Sequence, residues 1–237
     1  MTKTIFNSVR FMKIHLVDYG IFRGSNRIEF KQHQTLICGM NGTGKTTIAN
    51  ALAHLDPAPG VNPHILADSP KMSVEVETVG NRELIKQYAD IIFLGCEFEL
   101  MDNQEAIFKS IESNQHREEI KDEARSIFHV LLSEKPWKTK IPDDLNYNIM
   151  PASEKMCLGY AFAFAARKVL NIDIPCVFDS PYGMLDIELR DGVCAFLKKQ
   201  SYQQIMLCSE NEIGKEDKAH FTLNYINNSS QVIKNMI

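Results

Sequence analysis

Eight consecutive residues carry the clearest chemistry in the chain. Gly39-Met40-Asn41-Gly42-Thr43-Gly44-Lys45-Thr46 satisfies the pattern G-x-x-x-x-G-K-[ST] in full, between a predicted strand and a predicted helix. Glycines at these positions let backbone N–H groups turn inward around anionic oxygens, and the start of a helix near Lys45 adds its unpaired N–H groups and dipole. Phosphate is the natural ligand of such a cradle. Lys45 is expected to reach the outer phosphates of a nucleotide and Thr46 to give its hydroxyl to a magnesium ion, with Gly42, Thr43, Gly44 and Thr47 completing the binding set. Asn41 either orients an attacking water or serves the turn. Further along, Pro175-Cys176-Val177-Phe178-Asp179 sets a carboxylate at the end of an apolar strand. Asp179 holds the same metal through water, or it is an ordinary strand end before a turn.

These residues need elements to position them. Phe11 to Asp18 and Ile28 to Phe30 have the spacing of an antiparallel strand pair around a glycine-bearing turn. Gln34 to Cys38 reads as the strand before the phosphate loop and Thr46 to Leu55 as the helix after it, ended by a loop with Pro57, Pro59, Gly60 and Pro63. Ser73 to Thr78 alternates as a strand, and Ile91 to Leu94 is a short apolar run predicted as another. From Asn103 to Leu132, Ile120, Ala124, Ile127, Phe128 and Leu131 recur on one helical face. Pro136 and Pro142 bracket a loop, and Ser153 to Leu170 is then a helix apolar on nearly every side, hence buried. Cys176 to Phe178 and Gln204 to Cys208 are predicted strands, Asp186 to Lys199 a helix, and Phe221 to Ile226 the last strand. There is no internal repeat and no low-complexity tract.

Three segments occurring in order make a family visible: Tyr19-Gly20-Ile21-Phe22-Arg23-Gly24 with Ile28-Glu29-Phe30, the phosphate loop with Asn41 inside it, and Asp179-Ser180-Pro181-Tyr182-Gly183-Met184-Leu185-Asp186. Together they resemble the ATPase heads of the SMC, RecF and recombination-repair class of ABC ATPases, most of all the head of the DNA sulfur-modification protein DndD. That resemblance runs from about Phe11 to Glu212. It implies an α/β fold, a two-lobed P-loop head with a mixed sheet around the phosphate-loop helix, an antiparallel β subdomain and a helical lobe. It also implies ATP and Mg2+ as ligands, with Asp179 as the Walker B carboxylate and Gly183 to Asp186 as the D-loop.

The same resemblance exposes departures. Met150-Pro151-Ala152-Ser153-Glu154-Lys155 falls where the family has its signature, and Glu154 lies 25 positions before Asp179. Pro151 stands in place of the signature serine, however, and Ser153 replaces a glycine. Ser153 either offers its hydroxyl to phosphate or caps the helix, with Glu154 and Lys155 solvated. Ser180 occupies the position of the glutamate that polarises water and is no general base at neutral pH, so slow hydrolysis is expected. Glu210 lies where many members have a γ-phosphate-sensing histidine. Glu210 or Glu212 then acts as the base and Ser209 touches phosphate, or the acids belong to a solvated strand-end turn. Glu97 sits roughly where a Q-loop residue would join Thr46 and Asp179 at the metal, or it is a surface carboxylate. Arg23 corresponds to an early arginine near the nucleotide. Only about 50 residues separate Glu97 from the signature-like segment, with no heptad run and no C-x-x-C hook, so the long coiled-coil arm of the class is absent from this stretch.

Composition bounds the remaining choices. With 237 residues, 44% of them apolar, the chain can bury a large core. Its 26 basic and 30 acidic residues give a net charge of −4, so duplex DNA would have to meet a local patch. Arg10, Lys13, Arg23, Arg27 and Lys31 are such a patch or a solvated face. The six cysteines, at 38, 96, 157, 176, 194 and 208, form no close pair, and no apolar run approaches the ~20 residues of a membrane span, which suits a cytoplasmic protein. The expected organisation is one head in three pieces: an N-terminal lobe 1–98, a short helical lid 99–150 and a C-terminal lobe 151–237. The expected function is an ATP-dependent homodimer that acts as a slowly hydrolysing switch, with a protein partner in a DNA-processing or defence complex. The competing readings are a transporter's nucleotide-binding subunit and an ATP-binding regulatory partner without turnover.

Overall fold

The computed structural model describes residues 7–53, 73–95, 114–132, 151–213 and 217–236. Glu97, the Pro57 to Pro63 loop, the Pro136 to Pro142 loop and both boundaries of the expected lid lie outside the described residues.

The sequence folds as two sheets and a helical layer. One is an antiparallel sheet in the order β2-β1-β4, formed by β1 (Val9–Val17), β2 (Ser25–Glu29) and β4 (Ser73–Gly80). The other has six strands in the order β5-β6-β7-β3-β8-β9, from β5 (Phe93–Gly95), β6 (Cys176–Asp179), β7 (Gln204–Cys208), β3 (Gln34–Gly39), β8 (Phe221–Ile226) and β9 (Ser229–Lys234). β5, β6, β7, β3 and β8 run parallel, and β9 returns antiparallel to β8. The parallel centre is covered on both faces, which is why β6 and β7 are short runs buried at every position. β9 follows a two-residue turn at Asn227 and Asn228, both with positive φ, a geometry Asn tolerates. Sequence patterning missed this strand because Gln231 and Lys234 interrupt its apolar residues.

Gln203 joins the two sheets. β1 carries a bulge between Phe11 and Lys13, so its inward residues shift from Val9 and Phe11 to Ile14 and Leu16. At that irregularity the Gln203 amide imitates a peptide: its Oε1 accepts from Phe11 N (2.9 Å) and its Nε2 donates to Phe11 O (2.7 Å) and Lys31 O (3.0 Å). Gln203 precedes β7, so the bulge of one sheet is registered directly on the other.

Among the described residues the helices are α1 (Lys45–Ala53), α2 (Glu83–Gln87), α3 (Ala89–Ile92), α4 (Asn114–Leu131), α5 (Ala152–Val169) and α6 (Ile187–Lys198). The expected strand at Ile91 to Leu94 is half right. Ile91 and Ile92 end α3, and extended backbone begins only at Phe93, where pairing with Val177 of β6 becomes available. A short apolar run carries no period that separates the two. α5 is buried almost throughout, with α4 laid against it through Ile120, Ala124, Phe128 and Leu131.

Within α5 sits Arg167, fully buried. Its Nη2 donates to Ile91 O (2.8 Å) and Pro175 O (2.7 Å), its Nη1 to Ala163 O (2.7 Å) and its Nε to Ile174 O (3.3 Å). The guanidinium also lies over the rings of Phe164 and Tyr202, 5.6 and 5.8 Å from their centroids. Burial pushes its pKa down from the ordinary arginine value. The expected outcome of Arg167→Leu is a loss of about 3 kcal/mol in urea unfolding, since buried carbonyls lose their donors.

Candidate nucleotide-binding site

The phosphate loop is shaped by its glycines and by what lies under it. Gly42 and Gly44 have φ of 81° and 98°, which side chains other than glycine rarely adopt. A Cβ on Gly44 would also stand 2.8 Å from the Phe22 ring. Phe22 is fully buried, and its turn is tied to β9, where Ser230 N donates to Ile21 O (2.9 Å). The segment Tyr19 to Gly24 therefore props the phosphate loop from below. Thr43 closes the loop by donating its hydroxyl to Met40 O (2.7 Å).

Lys45 is 6% exposed, and its ammonium is held by carbonyls, Gly39 O at 2.7 Å and Met40 O at 3.0 Å. Thr46 Oγ1 donates to Asp179 Oδ2 at 2.6 Å, which joins the first residues of α1 to the end of β6. A hydroxyl and a carboxylate meeting beside a phosphate loop are hard oxygen donors of the kind magnesium takes. Thus the donor set fits Mg2+ and the glycine cradle fits phosphate. Around them opens a cleft of about 600 Å³, lined by Asn41, Gly42, Gly44, Lys45, Thr46 and Thr47 from the loop and α1. Asp179, Ser180, Gly183 and Met184 line it from beyond β6, and Ile21 and Asn50 complete it.

The structure brings most of the expected residues together and leaves Arg23, Ser153 and Glu210 out of the cleft lining. Glu97 lies outside the described residues. Arg23 is half-buried beside the cleft and donates to Gly20 O (3.4 Å), while Ile21 from the same turn takes the place at the wall. Ser153 does not line the cleft of its own chain. It is not the N-cap of α5 either, because Pro151 occupies that position with φ −57° and ψ 150°. Glu154 is buried, contrary to the solvated alternative. Glu210 begins a single 3-10 turn (Glu210–Glu212), is exposed, and does not line the cleft.

Glu212 is buried and does not line the cleft, so it does not face the place of an attacking water. It closes a capping box with Ser209 and also reaches Tyr182 N (3.0 Å). Ser180 lies in the cleft with φ 54° and donates its N–H to Leu207 O (2.9 Å). Beneath the loop, burial first and nearby glutamates second push the Cys38 and Cys208 thiols up, so they stay protonated and chemically quiet. Two of the five early basic residues form ion pairs: Arg10 with Asp173 (2.9 Å) and Lys13 with Glu77 (3.5 Å).

Asn50 and Ile21 are the additions that sequence reasoning missed as site residues, and Glu212, expected as a candidate base, proves to be a buried capping residue. Asn50 had a legible signal, since it follows Thr46 by four positions and so shares its helical face. Glu212 had the spacing of a capping box with Ser209, S-x-x-E, seen without its strand context.

The fold is that of ABC- and SMC-type heads, and the cleft is built around a phosphate loop. Residues 13–147, more than half of the chain, match the AAA-domain family designated AAA_23, and the chain belongs to that family. No curated protein matches it. Among solved structures it is similar to the SMC head domain from Thermotoga maritima, at 16% identity and a TM-score of 0.61 over 96% of this chain and 100% of that one. It is likewise similar to the Smc head domain from Pyrococcus furiosus with an extended coiled coil, bound to the C-terminal domain of ScpA, at 13% identity and a TM-score of 0.63 over 96% of each chain. A putative cobalt transport ATP-binding protein, ST1066, is similar at 18% identity and a TM-score of 0.55 over 95% of this chain and 80% of that one. Among the described residues no helix is long and apolar enough to cross a membrane.

The expected outcome of Gly44→Ala is a loss of about 2–4 kcal/mol, from positive φ and the Phe22 contact together, read as a lower urea midpoint. Nucleotide affinity, measured with a fluorescent ATP analogue, should fall with it.

Proposed function

We propose that the chain binds Mg-ATP in this cleft, closes head to head with a second copy, and acts as a slowly hydrolysing nucleotide switch in a DNA-linked assembly. The observation that carries the reading is the 2.6 Å bond between Thr46 and Asp179 beside the buried ammonium of Lys45. Lys45 would leave the carbonyls of Gly39 and Met40 for the outer phosphates, and Thr46 and Asp179 would hold the metal. When bound, Mg2+ supplies charge neutralisation at the phosphate oxygens.

Dimerisation is supported by what one chain lacks. Ser153, at the start of α5, is not in its own cleft, so its part in phosphate binding requires a second copy. Met40 and Met184, 68% and 49% exposed, border the cleft as apolar groups that a second copy would cover. SMC heads of similar fold are bound to ScpA, which supports a protein partner here too, in repair, DNA modification of the DndD kind, or phage defence. Duplex DNA remains part of the proposal as a regulator, with the paired state of Arg10 and Lys13 favouring a small contact.

Slow turnover has its own support. In the cleft Asp179 is engaged with Thr46 and Ser180 has no basic group, while Glu210 lies outside and Glu212 is turned to the Tyr182 and Ser209 donors. Hence a second version of the reading has the head binding ATP and waiting for a partner's catalytic group.

The test is steady-state phosphate release from Mg-ATP with and without duplex DNA, Lys45→Ala serving as control, alongside light-scattering mass. Expected are low release that Lys45→Ala abolishes and a doubling of mass with Mg-ATP. ATP binding without any release above the control selects the waiting version, and a monomer mass in saturating Mg-ATP overturns dimerisation. Ser180→Glu should raise release by about 100-fold where the missing base alone limits it.

A further inference from the structure

The segment that follows Asp179 is gripped from three sides. Tyr160 of α5 donates its hydroxyl to Pro181 O (2.8 Å). Arg190 of α6 donates through Nη2 to Tyr182 O (3.4 Å) and through Nη1 to Asn211 O (2.9 Å). Glu212, 6% exposed, accepts from Tyr182 N at Oε1 (3.0 Å) and from both Ser209 N (2.8 Å) and Ser209 Oγ (2.9 Å) at Oε2. The N–H and C=O of Tyr182 are thus held by two oppositely charged side chains, each of which also holds the turn after β7.

A buried carboxylate is costly unless its oxygens are bonded. Here three donors bond it, from two segments that are thirty residues apart in sequence and adjacent in space. A hydrocarbon of the same size would leave those donors unpaired. Glu212 is buried and does not line the cleft, and its oxygens are turned to protein donors from both segments, so it acts on the site through its neighbours.

We propose that Glu212 is a positioning residue: it locks the turn Ser209 to Glu212 to the segment 180–186, so that Ser180, Gly183 and Met184 sit against the nucleotide and the two segments move as one body. This rests on the ATP reading above for its functional consequence. Through Tyr160 the same body is linked to the helix that begins beside Ser153. A second copy docking on Ser153 would therefore be felt at Ser180.

Glu212→Gln tests the lock. The amide keeps one acceptor oxygen and turns an N–H pair toward existing donors, so either the Tyr182 or the Ser209 bond must break. In hydrogen–deuterium exchange of the full chain, the peptides spanning 180–186 and 209–213 should both exchange about tenfold faster, with α1 and β3 unchanged. In phosphate release, kcat should fall about tenfold while KM for Mg-ATP stays within about twofold. Arg190→Met attacks the joint from its more exposed side and should speed exchange in the same two peptides, which decides the matter if Glu212→Gln does not fold. Faster exchange confined to 209–213, or a rise in KM with kcat unchanged, overturns the proposal. A wild-type chain that releases no phosphate overturns hydrolysis alone, and the paired exchange then decides the lock.

Discussion

A guanidinium bonded to four peptide carbonyls sits behind the nucleotide cleft, and much of the cleft's geometry follows from it. Removing the Arg167 charge from water costs several kcal/mol, which hydrogen bonds of about 1.5–3 kcal/mol each to carbonyl acceptors must offset. Those acceptors come from Ile91, Ala163, Ile174 and Pro175, so the end of α3, the middle of α5 and the run into β6 converge on one planar group. Asp179 lies four residues beyond Pro175 on a strand of four buried residues. Its reach toward Thr46 is set by where Arg167 pins that strand.

Two halves of the chain meet at the phosphate loop, and each is braced from behind. On one side Phe22 and the β9 backbone support Gly44 and the start of α1. On the other, Tyr160, Arg190 and Glu212 hold the segment after Asp179. The Thr46–Asp179 bond is the seam between them. Such a seam is ready for a metal because its donors already converge, so little ordering cost is left for binding. Chemical readiness is lower, since the position after the Walker B aspartate holds a serine in a left-handed conformation. That combination is what supports the proposed reading of the head as a binding switch.

The likeness to SMC heads at 13–16% identity shows how little of such a fold depends on particular side chains. A parallel sheet buried on both faces tolerates any well-packed set of apolar residues, whereas the glycines of a phosphate loop tolerate almost nothing. This chain keeps the second and varies the first. It also solves the bond between its two sheets through Gln203, a residue with no particular promise in the sequence.

The phosphate loop, its flanking strand and helix, and the strand ending at Asp179 were legible in the sequence, because each is set by local spacing, whereas the α/β plan followed from the resemblance to SMC-type heads. Glycine placement, the order Lys45 then Thr46, and apolar runs of strand length need no knowledge of what packs against them. The tertiary structure decided the rest. Arg167 reads as one polar residue on an apolar helix until four carbonyls from separate elements surround it. Glu210 and Glu212 are equivalent in sequence, yet one is exposed and the other is locked to Tyr182, a distinction made by the distance between chain segments. β9 could not be separated from a tail without its hairpin partner, nor Ile91 and Ile92 from a strand without the position of β6. Local pattern determines which residues can bind phosphate, while long-range packing determines which carboxylates are left free to act on it.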